Sequence, residues 1–168
     1  EIETIRNMVD NFSFLIKTYG FIPNGNRSYY LSRSQPPFYS LMVDIPAEIE
    51  GEQILIKYLP YLQKEYDFWM QRHKSLSSEK RTHERVVLMP GGEILNRYWD
   101  AKDTPRPESY REDVETAIEA VRYSPERTRE EVYRNLRAAA ESGWDFSSRW
   151  LVKEENDSFR LSTIHTTD

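Results

Sequence analysis

Apolar residues recur three and four positions apart through the first 19 residues, and this spacing constrains the fold more than any other feature of the sequence. The positions concerned are Ile2, Ile5, Val9, Phe12, Leu15, Ile16 and Tyr19. Such spacing lines one face of a helix, so it predicts an amphipathic helix over residues 3–19. Gly20 follows directly, where a glycine commonly ends a helix. A helix of this kind must bury its apolar face against other elements.

The later chain contains further segments of helical character. A proline at the first turn favours a second helix that starts at residues 37–43, and a short third helix is expected over residues 51–59. Pro60 is expected to restart a longer helix that runs to about residue 73. Its predicted buried stripe consists of Leu59, Leu62, Tyr66 and Trp69. Two more helices are predicted over residues 107–122 and 127–142, the second with Pro125 near its start and Glu130 and Glu131 in its first turn.

The connections between these helices differ in character. Residues 20–37 and 96–106 have no helical or strand period, yet they are dense in arginine, amide and aromatic side chains, which is typical of binding loops. Residues 74–85 are polar and are expected to form an exposed loop. Residues 85–98 are expected to form two short extended runs around Pro90-Gly91-Gly92, and residues 152–164 a charged turn followed by an extended run. Helix pairs thus alternate with polar aromatic loops, which favours an α-barrel or a helical solenoid.

Composition narrows the class of protein. The 168 residues suit one domain, and Phe, Trp and Tyr number 7, 4 and 11, which indicates a large core or a stacking surface for sugars. The formal charge of −5 argues against a general nucleic-acid binder. The chain has no cysteine and no apolar run of membrane-spanning length, and no secretory leader is expected within these residues. His73 and His83 lack metal-ligand spacing, so no metal site is expected.

The stretch AAAESGWDFSSRW, residues 138–150, places a carboxyl group directly after a predicted helix end at Gly143. Asp145 lies there between Trp144 and Phe146. Aromatic neighbours that exclude water favour the protonated carboxyl, which is how a carboxyl becomes a proton donor. The alternative is that Asp145 is an ordinary turn residue beside core aromatics. These residues alone leave both interpretations open.

Four loop segments combine the same kinds of groups. The pairs are Arg33 and Gln35, Trp99 and Asp100, Arg106 and Glu108, and Trp144 and Asp145. Arginine and carboxylate groups bind hydroxyls and aromatic rings stack on sugars, so the combination indicates carbohydrate chemistry. The sequence contains neither a phosphate-binding glycine loop nor a nucleophile elbow.

Three long motifs carry a resemblance to a known family. PNGNRSYYLSRSQPP (residues 23–37), LNRYWDAKDTPRPESYRED (95–113) and RAAAESGWDFSSRW (137–150) closely resemble the trehalase family. Members are inverting glycosidases with an (α/α)6 barrel that hydrolyse α,α-trehalose to two glucoses without a cofactor. The resemblance extends over nearly the whole chain. It implies that residues 1–168 form the middle part of one trehalase-like catalytic domain.

The resemblance also implies roles for individual residues. Asp145 matches the general acid. The positions that match the glucose subsites are Asn24, Arg33, Ser34, Gln35, Arg106, Pro107, Glu108 and Gly143. Trp99 and Asp100 match no ligand position and are expected to be structural. The family's catalytic base, a glutamate, matches no residue of this chain. Glu141, one helical turn before Asp145, is expected to face solvent.

The same expectations concern the binding partners of the protein and an alternative function. The expected partners are trehalose and the remaining parts of a longer parent chain, and binding to nucleic acid or membrane is not expected. The compartment stays open between the bacterial periplasm and the cytoplasm. The alternative is a non-catalytic helical module that binds carbohydrate or another protein. A downstream glutamate in the parent chain would favour the enzyme.

Overall fold

The computed structural model describes residues 2–153 and 159–161, and it is mostly helical. The five helices are α1 (Ile2–Tyr19), α2 (Tyr39–Glu50), α3 (Gln53–Trp69), α4 (Tyr110–Tyr123) and α5 (Arg129–Glu141). Single 3-10 turns lie at Ser28–Tyr30, His73–Ser75, Pro107–Ser109 and Ser148–Trp150. None of the helices in the described part combines the length and the apolarity needed to cross a bilayer.

Short strands form two small antiparallel sheets. Strands β1 (Thr82–His83), β2 (Val86–Leu88) and β3 (Ile94–Asn96) pair in that order. Strands β4 (Leu151–Lys153) and β5 (Phe159–Leu161) pair separately. The expected extended runs are therefore present, although most of the predicted turn at residues 153–157 and the end of the following run lie outside the described residues. The expected exposed loop at residues 74–85 is partly wrong, because it contains β1 and ends at the buried Arg85.

The helices pack in two groups. Helices α1, α2 and α3 enclose a core that consists of Val9, Ile16, Ile22, Tyr39, Val43 and Tyr58. Ser13 on α1 and Tyr39 on α2 are joined within it by a 2.7 Å hydrogen bond between their hydroxyls. Helices α4 and α5 pack through Ala117, Val132, Tyr133 and Leu136. The stripe predicted for α1 is confirmed at its buried positions Val9 and Ile16.

Two helices contain an internal proline, and for α3 the sequence prediction was wrong. Helix α2 continues through Pro46 to Glu50, and the two segments expected around Pro60 are one helix, α3. An internal proline removes one backbone hydrogen bond, and burial of an amphipathic face compensates for that loss. The buried stripe of α3 also differs from the expected one. Leu59 and Tyr66 are exposed, whereas Tyr58, Glu65 and Trp69 are buried.

Helix α5 has well-defined ends. The Thr128 hydroxyl accepts a 3.1 Å hydrogen bond from the backbone N–H of Glu131, which satisfies one of the free donors at the helix start. Glu130 and Glu131 lie in the first turn, where negative charge is favourable. At the other end Gly143 has a φ of 67°, a left-handed conformation that glycine adopts without strain. The predicted helix stop is confirmed.

Candidate active site

The loop over residues 20–37 is held in shape by Asn24. Its backbone N–H donates to the Arg33 carbonyl at 3.0 Å, and its side-chain amide donates to the Ser34 carbonyl at 3.1 Å. The Gln35 amide in turn donates to the Asn24 carbonyl at 2.6 Å, and Ser34 pairs with Pro23 in an isolated bridge. The loop therefore presents Asn24, Arg33, Ser34 and Gln35 as one hydrogen-bonded unit.

Arg33 connects this loop to a second one. Its Nε donates to the Asn24 side-chain oxygen at 3.0 Å, and its Nη2 is ion-paired with Glu108. The remaining nitrogen, Nη1, is buried without a hydrogen bond and lies 3.9 Å from a carboxylate oxygen of Asp100. The Glu108 side chain keeps 18% of its surface exposed, whereas Arg33 is almost fully buried. Glu108 is thus the accessible member of the pair.

Arg106 is fixed at the base of the second loop by Asp113 on α4. The Asp113 carboxylate accepts hydrogen bonds from the Arg106 backbone N–H (2.8 Å), Nε (3.0 Å) and Nη2 (2.7 Å). Burial by itself would lower the pKa of Arg106, but the bonds and charge of Asp113, with the nearby charges of Glu108 and Asp145, raise it. Pro107, exposed at the start of the next 3-10 turn, leads directly to Glu108.

Asp145 lies on the third loop, just past α5. Ser142 shapes the turn by accepting a 3.0 Å hydrogen bond from the Trp144 backbone N–H. Phe146 has a φ of 56°, which is strained for a side chain of its size and which turns the loop sharply beside Asp145. Asp145 is exposed, and its aromatic neighbours are also half-exposed. Of the two interpretations left open for Asp145, the one in which its aromatic neighbours exclude water does not hold in this structure.

The three loops meet at one end of the molecule, as expected. The Arg106 guanidinium lies 5.4 Å from the centre of the Phe146 ring. The Asn24 side chain donates a 3.4 Å hydrogen bond to the carbonyl of Ala140 in the last turn of α5. Pro36 lies beside Gly143, so a Cβ there would contact its ring at 3.8 Å. Arg33 and Asp145 thus lie on the same side of the structure.

Two buried ion pairs support these loops and were not anticipated as such. Arg137 on α5 binds Asp100 at 3.1 Å and the Pro105 carbonyl at 2.9 Å, which fixes the loop that leads to Arg106. Asp100 therefore has the structural position expected of it. Glu141 is ion-paired with Arg85 at 3.3 Å and has no exposed surface. The expectation that Glu141 faces solvent is wrong.

The sequence does carry a signal for this burial. Arg137 and Glu141 are four residues apart and flank three alanines, so the last turn of α5 has no polar face of its own. The nine residues from Val132 to Glu141, apart from Arg134, are all buried. A helix that is buried all round packs its charged residues inward as well.

The described part of the chain contains no group of three or more histidine, cysteine or carboxylate side chains that could hold a metal ion. The groups brought together are arginines, carboxylates, amides and aromatic rings. This combination suits recognition of hydroxyl-rich ligands.

Comparison with known proteins identifies the family. A sequence model of the family described as trehalase matches residues 1–168. The chain belongs to the trehalase family. The periplasmic trehalase of Pseudomonas aeruginosa is 56% identical to it over 166 residues, which cover 98% of this chain and 29% of that trehalase. The periplasmic trehalase of Xanthomonas axonopodis pv. citri is 54% identical over 162 residues, 96% of this chain and 27% of the relative.

A solved trehalase supports the fold. The neutral trehalase Nth1 from Saccharomyces cerevisiae superposes with a TM-score of 0.57 at 26% identity, covering 89% of this chain and 30% of that one. The fold is mostly α and forms part of the (α/α)6 barrel of the trehalases. The chain spans less than a third of the length of the trehalases it matches.

Proposed function

We propose that the protein containing this chain hydrolyses α,α-trehalose to two glucoses with inversion, and that Asp145 is its general acid. The observation that carries the proposal is the meeting of three loops far apart in sequence, which brings Glu108, Arg106 and Asp145 within range of one another's charge. Similarity to proteins named trehalases supports the choice of substrate. Because the relatives are named periplasmic trehalases, we also propose a periplasmic location.

The mechanism needs two carboxyl groups. One protonates the leaving glycosidic oxygen while the other activates a water on the opposite face, with the two standing roughly 6.5–9.5 Å apart. Asp145 takes the first role, and its exposed side chain is free to reach a glycosidic oxygen. The second role belongs to a glutamate in another part of the parent chain.

The remaining loop residues bind and orient the sugar. Glu108 is partly exposed and accepts hydrogen bonds from sugar hydroxyls, and Arg33 fixes its position. Arg106, locked by Asp113, supports the Asp145 turn through Phe146. Fixed rotamers of this kind hold the reacting groups in alignment.

The other five residues complete the lining of the site. Asn24, Ser34 and Gln35 form the first loop, and Pro107 and Gly143 shape the second and third. Because Gly143 has no side chain, a sugar can approach the backbone closely at that point.

The test uses the full-length protein and trehalose, with the products followed by proton NMR before mutarotation. Inversion at one of the two α-linked carbons predicts equal initial amounts of α- and β-glucose. Only α-glucose would indicate retention and contradict the mechanism. Calorimetric binding of trehalose without release of glucose would instead favour the non-catalytic sugar-binding module.

A further inference from the structure

We propose that Glu141 is a positioning residue that ties the loop carrying Arg33, Ser34 and Gln35 to the turn carrying Asp145. This inference rests on the proposed function, because it concerns the alignment of the acid with the bound sugar. Glu141 itself touches neither sugar nor water in this account. Its carboxylate faces the backbone of Ser34, and its own main chain leads into the turn that carries Asp145.

The contacts of Glu141 reach three separate segments. It is the last residue of α5 and is completely buried. Its carboxylate accepts hydrogen bonds from Arg85 Nε and Nη2, both at 3.3 Å. The backbone N–H of Ser34 also faces this carboxylate and favours its charged form. One side chain thus joins α5, the β1–β2 connection and the candidate sugar-binding loop.

Arg85 holds this arrangement from the other side. It is buried, and its guanidinium lies 4.3 Å from the Phe68 ring centre and 5.5 Å from that of Trp99. Its backbone carbonyl accepts hydrogen bonds from the Arg97 N–H at 2.9 Å and the Asn96 amide at 3.2 Å. The guanidinium is therefore enclosed by aromatic rings and its backbone by β3, so Glu141 has a fixed partner.

Electrostatics make the position of the carboxylate specific. Burial raises the pKa of Glu141 to about 7, and the nearby Asp100 acts in the same direction, whereas Arg85 and the Ser34 N–H lower it. A buried carboxylate that moved away from these two partners would lose the groups that offset its desolvation. The side chain is accordingly held where it meets both of them.

The position of Glu141 determines the position of Asp145, because the turn between them is fixed by hydrogen bonds. The Ser142 hydroxyl donates to the Ala139 carbonyl at 2.5 Å and accepts from the Trp144 N–H at 3.0 Å, so the turn is closed on itself. A second link between the same segments runs from the Asn24 side-chain amide to the Ala140 carbonyl at 3.4 Å. Displacement of Glu141 therefore changes the spacing between Ser34 and Asp145.

The experiment uses two double variants of the full-length protein. Arg85→Met with Glu141→Leu removes both charges and the acceptor for the Ser34 N–H. Arg85→Met with Glu141→Gln removes the same charges but keeps an acceptor for Ser34. Neither variant leaves a buried charge without its partner. The matched control is Arg127→Met with Glu131→Leu, which removes an ion pair with a buried arginine at the opposite end of α5.

Turnover is measured on trehalose and on α-glucosyl fluoride, whose leaving group needs little protonation. We expect the leucine variant to lose about 100-fold in kcat on trehalose, the scale of a small misplacement of catalytic groups. On the fluoride its loss should be at least about tenfold smaller, since acid catalysis contributes ~10²–10⁴-fold to the first substrate only. The glutamine variant should recover most of the trehalose activity, and the control should leave the ratio of the two activities unchanged.

The outcomes separate the two proposals. Equal losses on both substrates, in proportion to the folded fraction from circular dichroism, would show a purely structural pair and overturn the inference alone. A leucine variant that keeps its trehalose turnover would also overturn it. A wild-type protein that does not hydrolyse trehalose would overturn the proposed function and this inference with it.

Discussion

Each arginine at the candidate site is bound by the carboxylate of a neighbouring side chain. Arg33 is paired with Glu108, and Arg106 is bound by Asp113 through three of its N–H groups. Hydrogen bonds between charged groups are stronger than neutral ones, and the planar guanidinium fixes their direction. The pairs therefore determine which polar atoms face the space between the loops. Of the carboxylates of Glu108 and Asp113, that of Glu108 has the larger exposed fraction.

Glu108→Gln tests this arrangement at a single residue. The change removes a charged acceptor for sugar hydroxyls and weakens the bond that positions Arg33. A hydrogen bond to a charged group contributes about 1.5–3 kcal/mol, so we expect kcat/KM for trehalose in the full-length protein to fall about 10–100-fold. Glu112→Gln, at an exposed position four residues later, is the matched control. Equal kcat/KM values for the two variants would show that Glu108 is not part of the site.

Among the elements, α3 carries a buried carboxyl group that differs from those of the site. Glu65 is buried near Tyr39 and Trp69, and desolvation alone raises its pKa to about 7 from 4.5. Its folded state therefore binds a proton more tightly than its unfolded state does. It follows that the free energy of unfolding decreases as the pH rises from about 4.5 to about 7 and then becomes level with respect to this group.

Glu65→Gln should remove that pH dependence. The variant carries no charge to desolvate, so we expect its free energy of unfolding at pH 8 to exceed that of the unchanged chain by on the order of 1–3 kcal/mol. Urea titrations of the chain at pH 5 and pH 8 measure the difference. Glu48→Gln, on the exposed surface of α2, should leave the pH dependence unchanged. The gain in stability of the variant over the unchanged chain should be larger at pH 8 than at pH 5. Equal gains at the two pH values would contradict the assignment of this pH dependence to Glu65.

The elements also show how far sequence patterns reach. Apolar spacing predicted α1, and proline and glycine positions predicted the location of α4 and the end of α5, because these signals act within a few residues. The same signals failed in α3, where tertiary burial overrides Pro60. Local patterns also could not place Glu141, whose partner Arg85 lies 56 residues away. The loops of the site were predicted from their composition, but the ion pairs that join them depend on the assembled fold.

At the scale of the whole molecule, α2 and α3 keep large apolar side chains on their outer faces. Leu41, Ile45, Ile49, Ile56 and Leu59 are all about half-exposed or more. Such faces are expected in helices that pack against further helices of an (α/α)6 barrel. Together with the coverage of less than a third of each relative, they support the proposal that other parts of a longer parent chain complete the site.

The isolated chain should accordingly be inactive. An inverting site needs its acid and its base at the same time. The proposed acid is Asp145, and the base implied by the family resemblance, a glutamate, matches no residue of this chain. Glu108 is paired with Arg33, and Glu141 is buried against Arg85. We expect no release of glucose from trehalose above background by the purified 168 residues. Adding the remaining parent chain, in one polypeptide or by complementation, should restore it. Activity of the isolated chain that disappears in Asp145→Asn would show that a base lies within these residues.

The most direct test of the whole account is the turnover of full-length Asp145→Asn on two substrates. Asparagine has nearly the same shape as aspartate but cannot donate the acid proton. We predict a loss of at least ~10²–10⁴-fold in kcat on trehalose, with binding of trehalose largely kept, and partial recovery of the rate on α-glucosyl fluoride. Unchanged turnover of trehalose, or equal losses on both substrates, would show that Asp145 is not the general acid.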